Sequence, residues 1–387
     1  MNLFTLKHQE GFARAGIIHT PHGEIQTPAF IPVGTQATVK TVTPQELLDT
    51  GSQAVLANTY HLYLSPGVET IREYHGFAPF MKWDGPTFTD SGGYQVAFLW
   101  TPKEAKERSS QVTITEEGAV FRSHIDGSKH LLTPEKSMEI QDVLSADIIM
   151  AFDQPLSQLS TREKQKDAFE RTMRWETRSH ARWTELQKTR EHKQALYGVV
   201  QGETDPILRR ASLDFVLRLD FPGIAIGGST IGSDPQITAD ALDTIVESLP
   251  SGKPVHALGL GGGPEGIFEA VKRGVDTFDN TSVTRMARTG LLFLFPEDGG
   301  GIHNKFRSDV HKFSPTDMAP ISSVCTCMTC KTFSRGYIRH LFVNNELLGG
   351  RLASIHNIHY MNTLMEAIRT AILQEKFTHL YDNWLKK

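Results

Sequence analysis

Apolar positions along this chain fall into a repeating unit: a run that is apolar almost throughout, a small or polar residue that ends it, and a stretch with helical spacing. The runs are "TPAFIPVG", "QAVLANT", "PTFTDSGG", "ADIIMAFD", "LYGVVQG", "GIAIGG", "VHALGLGGG" and "VDTFDN", eight in all. Strands that are apolar on both faces belong in a parallel sheet covered by helices. Eight of them, alternating with helices, predict an α/β fold of the closed (β/α)8 TIM type rather than an open doubly wound sheet. Helix starts agree: "TPQE" at Thr43 to Glu46 is a capping box with proline at the first helical position, and "TPEK" from Thr133 repeats the threonine and proline. After the third run, "AVFRSHIDGSKHLL" alternates about an Asp126-Gly127 turn and predicts a hairpin on the barrel mouth. The charged stretch from Thr161 to Gln194, with Phe169 and Met173 at helical spacing, predicts a surface helix covering the barrel.

The next strong amphipathic helix after the eighth run begins near Arg351, which leaves about 290–350 as an insertion before the barrel closes. That insertion holds every cysteine, in "CTCMTC": Cys325, Cys327 and Cys330. Three thiols so close together cannot be a disulfide framework. C-x-C-x-x-C supplies three of the four ligands of a structural zinc site. His356, on the helix that follows, is the leading fourth donor, with His359 and His340 as rivals. One catalytic barrel domain spanning 1–387 is therefore expected, with a zinc-binding subdomain near the C-terminus tied down by His356.

With 387 residues, 39% of them hydrophobic, the chain has ample material for such a domain. The start lacks the apolar core of a signal peptide, and no run approaches the roughly 18 apolar residues of a membrane span. A soluble cytoplasmic protein is expected. A net charge of −4 argues against general adhesion to nucleic acid, so an RNA partner would need a local basic face. Lys331, Arg335, Arg339 and Arg351, opposed only by Glu346, offer one, with Arg285 and Arg288 just upstream.

Every strand of such a barrel points the same way, so the residues that end the runs gather at one mouth. They are Asn58, Asp90, Asp153, Gln201 and Asp279, and the pairs Gly92-Gly93 and Gly227-Gly228 let a ligand approach the backbone. Any one aspartate could simply cap a helix. Three together, beside an uncharged glutamine and bare backbone, favour a planar polar ligand and carboxylate chemistry, one carboxylate ionised as nucleophile while another shuttles a proton. A metallohydrolase would need several histidines at strand ends; His256 alone is near one, and it reads as a packed residue of the seventh strand.

"TDSGGYQV", "RSHIDGSKHLLTPEKSMEIQ", "IIMAFD", "VVQG", "AIGG", "FDNTSVTRMARTG" and "CTCMTC…IHN" occur in the order and spacing of the queuine tRNA-ribosyltransferases, and from about Gly11 to Arg369 the chain resembles that family. The resemblance implies exchange of guanine at the wobble position of GUN anticodons for a 7-deazaguanine, preQ1 or queuine. It implies that Asp279 is the nucleophile and Asp90 the general acid and base. Asp153 and Gln201 would read the base, Gly228 would offer its backbone, and Tyr94 and Leu258 would sandwich the ring, with Ser91, Gly92, Gly93 and Gly227 completing the pocket. Thr284, Arg285, Met286, Ala287 and Arg288 would contact the anticodon loop, one structural zinc would sit on the cysteines and His356, and two chains would form a homodimer.

Several positions depart from the family pattern: Asn280, Thr281 and Val283 after the nucleophile, Gln154-Pro155 after the recognition aspartate, Leu258 under the base, and Ser229 and Ser233 in "GGSTIGS". They ring the base and leave the reaction type intact. Ile231 is bulky, which leans the incoming base toward preQ1. Retention of Asp90 and Asp279 argues against a non-catalytic tRNA-binding subunit, and the zinc motif and arginines argue against a DNA-directed relative.

Overall fold

The computed structural model describes residues 3–98, 112–155, 160–228, 231–232, 234–260, 263–300 and 307–385. Each of the eight runs contains a barrel strand. The strands are Ala29–Ile31 continuing as Val33–Gly34, then Val55–Ala57, Thr87–Thr89, Ile148–Met150, Ala195–Val200, Gly223–Ile226, Val255–Ala257 and Thr277–Asp279. The parallel sheet runs from Ala29–Ile31 through the eighth strand, down in order to the second, and ends on Val33–Gly34. Its two ends are therefore halves of one strand, interrupted at Pro32, whose nitrogen has no hydrogen for a ladder bond. The first half lies against the eighth strand, Phe30 opposite Phe278, and the second half against the second strand, Val33 opposite Leu56. The barrel closes through this strand.

Alternate residues sort to two cores. Ile31, Leu56, Phe88, Ile148, Met150, Tyr197, Val199 and Ala225 fill the barrel interior. Phe30, Val55, Ala57, Ile149, Leu196, Val200, Ile224 and Ile226 face the surrounding helices. The threonine caps form as expected: Thr43 Oγ1 accepts from the Glu46 N–H while Glu46 Oε2 accepts from the Thr43 N–H, and Thr133 Oγ1 accepts from the Lys136 N–H at 3.1 Å.

The repeating unit does not foresee the three-stranded antiparallel sheet that opens the chain, Phe4–Glu10, Ala13–Thr20 and Gly23–Thr27. Only Pro28 separates it from the first barrel strand, so it lies across the N-terminal ends of the strands. Phe4, Ile18 and Ile25 enter the interior core and plug that end. The hairpin after the third run forms, Arg122 opposite Lys129, and gains a third strand, Val112–Ile114. Its Phe121 ring lies 5.2 Å from Tyr60, two residues past the strand-end Asn58, which sets this small sheet beside the mouth. The charged helix covers Arg162–Leu186, and its Arg174 and Arg178 bind Glu116 and Glu135 of the segments flanking the hairpin.

The last long helix spans Leu347–Leu373, starting one turn before Arg351, and packs on the short helix Ser282–Arg288 that follows the eighth strand. None of the described helices is long and apolar enough to cross a membrane.

Candidate active site

Asp90 follows the third strand, and Asp279 ends the eighth. Asp90 Oδ1 accepts from the Thr59 N–H at 2.9 Å, and its Oδ2 takes amide hydrogens from Asn58 and from Gln95, the latter at 3.1 Å. Burial among these groups, together with the negative charge of Asp279, outweighs the Thr59 hydrogen bond and pushes the Asp90 carboxyl up to about 7. At neutral pH it is therefore poised between acid and base. Asp279 Oδ1 receives the Gly259 N–H at 3.1 Å and faces His256 Nε2 at 3.2 Å.

Asp153, past the fourth strand, is buried beside them. Ser91 Oγ donates to its Oδ1 at 3.1 Å and Gln201 Nε2 to its Oδ2 at 2.5 Å. Burial pushes this carboxyl up to about 6 against those two bonds, with Glu203 adding to the rise. Ser91 also accepts from the Gly93 N–H, which opens the helix Gly93–Phe98. A Cβ at Gly93 would lie 2.6 Å from the Asp153 carbonyl oxygen, so only glycine fits there. Gly228 has φ +104, and a Cβ on it would meet the Glu203 carboxylate at 3.0 Å. Gly92 and Gly227 are buried, Tyr94 is exposed over the opening, and Leu258 is half-buried at the end of the seventh strand. Asp90, Ser91, Asp153, Gln201 and Asp279 are thus brought together at one mouth.

In the C-terminal segment Cys325, Cys327, Cys330 and His356 converge, all buried, with their ligand atoms within 4.8 Å of one another. His356 Nδ1 lies 3.3, 3.6 and 4.0 Å from the sulfurs of Cys330, Cys325 and Cys327. These spacings bracket the ~3.5 Å edge of a tetrahedron with metal–ligand bonds of ~2.0–2.3 Å. His356 Nε2 donates to the Phe293 carbonyl at 2.9 Å, which leaves Nδ1 free to face the thiols. The donor set fits a metal ion. The rival histidines point elsewhere: His359 meets Thr326 Oγ1 and His340 meets Asn344.

The family model described as queuine tRNA-ribosyltransferase matches residues 9–387. The chain belongs to that family. Relatives of the same description include those of Herpetosiphon aurantiacus, 46% identical over 99% of this chain and 92% of the relative, and of Desulforamulus reducens, 44% identical over 98% and 96%. A third, from Pelotomaculum thermopropionicum, is 44% identical over 99% and 97%.

Departures of this queuine tRNA-ribosyltransferase family member have definite places. Gln154 accepts from the Arg171 guanidinium at 2.6 Å. Asn280 donates to the Gly259 carbonyl and accepts from the Ser282 N–H, each at 2.5 Å, so it ties the seventh-strand turn to the next helix. Ile231 is packed, while Ser229 and Ser233 lie outside the described residues. On the helix Ser282–Arg288, Thr284 and Ala287 are buried, whereas Arg285 is exposed and Arg288 lies along Gly350. No described carboxylate pairs with either arginine.

The expected basic face is smaller than its sequence suggests. Arg351 binds Glu46 at 2.6 Å, and Arg335 packs over Phe313 and donates to the Ile321 carbonyl. Both are engaged in holding the fold, whereas no described carboxylate pairs with Lys331 or Arg339. His256 is the residue the sequence reading undervalues: packed and fully buried, it also touches Asp279. Its alternation with Leu258 on the inward face was the available signal.

Proposed function

We propose that this enzyme exchanges guanine at the wobble position of a tRNA anticodon for a 7-deazaguanine by double displacement. The observation that carries this reading is the pairing of two unlike carboxylates at one mouth, Asp90 raised to about 7 and Asp279 held through one oxygen by N–H donors. In the first displacement Asp279 bonds to C1′ of the ribose, the C1′–N9 bond breaks, and the Asp90 proton goes to the departing guanine. In the second, the incoming base gives its N9 proton to Asp90, its N9 bonds to C1′, and the ester bond breaks with the electron pair returning to Asp279. Asp153 and Gln201 would read the base, held by Ser91, Gly92, Gly93, Gly227 and Gly228 between Tyr94 and Leu258. The nucleotide must leave its stack to reach them.

Packed Ile231 supports preQ1 over the bulkier queuine as incoming base. We further infer that residues 290–350 form a tRNA-contacting module, with Lys331 and Arg339 on the backbone and the segment Thr284–Arg288 on the anticodon loop. Zinc on Cys325, Cys327, Cys330 and His356 would supply structure rather than chemistry, since four protein ligands leave no open position. Met318 and Leu347, highly exposed on the same module, suit the homodimer expected of the family, working in the cytoplasm with its tRNA.

The test is incubation of unmodified GUN-anticodon tRNA with radiolabelled guanine. Label should enter the tRNA, Asp279→Ala should abolish both label and covalent adduct, and preQ1 should compete better than queuine. Wild-type exchange by Asp279→Ala would sink the mechanism. Metal analysis should find one zinc per chain, and chelation should weaken tRNA affinity.

A further inference from the structure

Two oxygens of one nucleophile meet different surroundings. Asp279 Oδ1 receives the Gly259 N–H and His256 Nε2, whereas no described residue donates to Oδ2. A carboxylate only accepts, so Nε2 carries a hydrogen, and in the neutral ring Nδ1 accepts the Thr277 hydroxyl at 3.0 Å. His256 is fully buried, and the Phe88 ring lies 5.4 Å away, tilted by 30°, fixing the imidazole plane. Gly259, at φ +76, turns its N–H to the carboxylate, and Asn280 grips its carbonyl from the other side.

Resting on the base-exchange reading, we propose that His256 is a positioning residue that acts with Gly259 to hold Asp279 by Oδ1. Oδ2 is then the oxygen that bonds to C1′. When the ester forms, negative charge leaves the carboxylate and Oδ1 becomes a carbonyl oxygen. When N9 of the incoming base attacks C1′, the C1′–Oδ2 bond breaks and its electron pair returns to the carboxylate. At that moment both donors are already in place and no reorganisation is needed. His256 therefore serves the second displacement more than the first.

Single-turnover kinetics on two variants test this. His256→Gln can place an amide hydrogen near the Nε2 position, whereas the amide of His256→Asn reaches only as far as Nδ1. His256→Asn should form adduct at close to the wild-type rate but release it to added guanine about tenfold or more slowly, so adduct accumulates. His256→Gln should recover most of the release rate, and tRNA affinity should be unchanged in both. Equal loss of both displacements in the two variants, with lowered thermal stability, would make His256 a packing residue and overturn the proposal. Wild-type release by His256→Asn would overturn it equally. Absence of any adduct in the wild-type control would count against the base-exchange reading instead.

Discussion

Asp276, just before the eighth strand, and Asp279, its last residue, stand three positions apart at opposite ends of the barrel. At the plugged end Asp276 is fully buried and accepts from the Arg14 guanidinium and, at 2.7 Å, from the Val255 N–H. Arg14 in turn donates to the Pro250 and Lys253 carbonyls. Asp147, before the fourth strand, is held likewise by both hydrogen-bond donors of Thr87 and by His22 at 2.6 Å. At the mouth, among the described residues, Asp90, Asp153 and Asp279 meet amides, a hydroxyl and one imidazole, but no lysine or arginine. Burial raises the proton affinity of Asp276 as well, with Arg14 opposing it. Asp276 is thus a brace tied to a buried cation, whereas the mouth aspartates, to which the proposed exchange assigns the chemistry, meet no guanidinium or ammonium among the described residues.

The largest test of this division is Asp279→Ala. Exchange should fall about 10⁴-fold or more while the unfolding midpoint in urea barely moves. Asp276→Ala should do the reverse: leaving Arg14 buried without its partner costs about 3–5 kcal/mol, read from chemical denaturation, with exchange per folded molecule retained. Lost exchange at full stability in that variant would erase the distinction between the two ends.

Asp90→Asn sharpens it through pH. The folded carboxyl titrates near 7, above its ordinary 3.8, so its contribution to stability is fully present below about 4 and is lost as pH rises through 7. The asparagine variant should therefore match wild type near pH 4 and exceed it by roughly 4 kcal/mol at pH 8, the size set by a rise of about three pH units. A constant difference across that range would show that Asp90 keeps an ordinary proton affinity. The smallest effect is expected on the rim: Arg285→Ala should weaken tRNA binding several-fold and reduce the slope of log affinity against log salt by about 1.

Much of the barrel was legible because its strands are buried on both faces, which writes unbroken apolar runs into the sequence, and because the residue ending each run must face the mouth. The cysteine–histidine cluster was legible for a different reason: thiols are scarce, so their spacing carries information. The N-terminal sheet escaped because only one of its faces is buried, so Phe4, Ile18 and Ile25 are diluted among polar neighbours. The contact of His256 with Asp279 escaped because it depends on a residue of another strand. Arg335 and Arg351 misled because a charge count does not register Phe313, Asp317 or Glu46 approaching from distant segments.

The strand interrupted at Pro32 sets a schedule. Ala29–Ile31 leaves the ribosome early, yet its partner on one side, Thr277–Asp279, follows roughly 250 residues later, some 12–50 seconds at bacterial-to-eukaryotic synthesis rates of about 5–20 residues per second. Throughout that interval the nascent chain carries an open, apolar sheet edge. Asp279, the nucleophile of the proposed exchange, is carried by the very segment that seals this edge, so a chain cut short before it has neither the closed barrel nor that carboxylate.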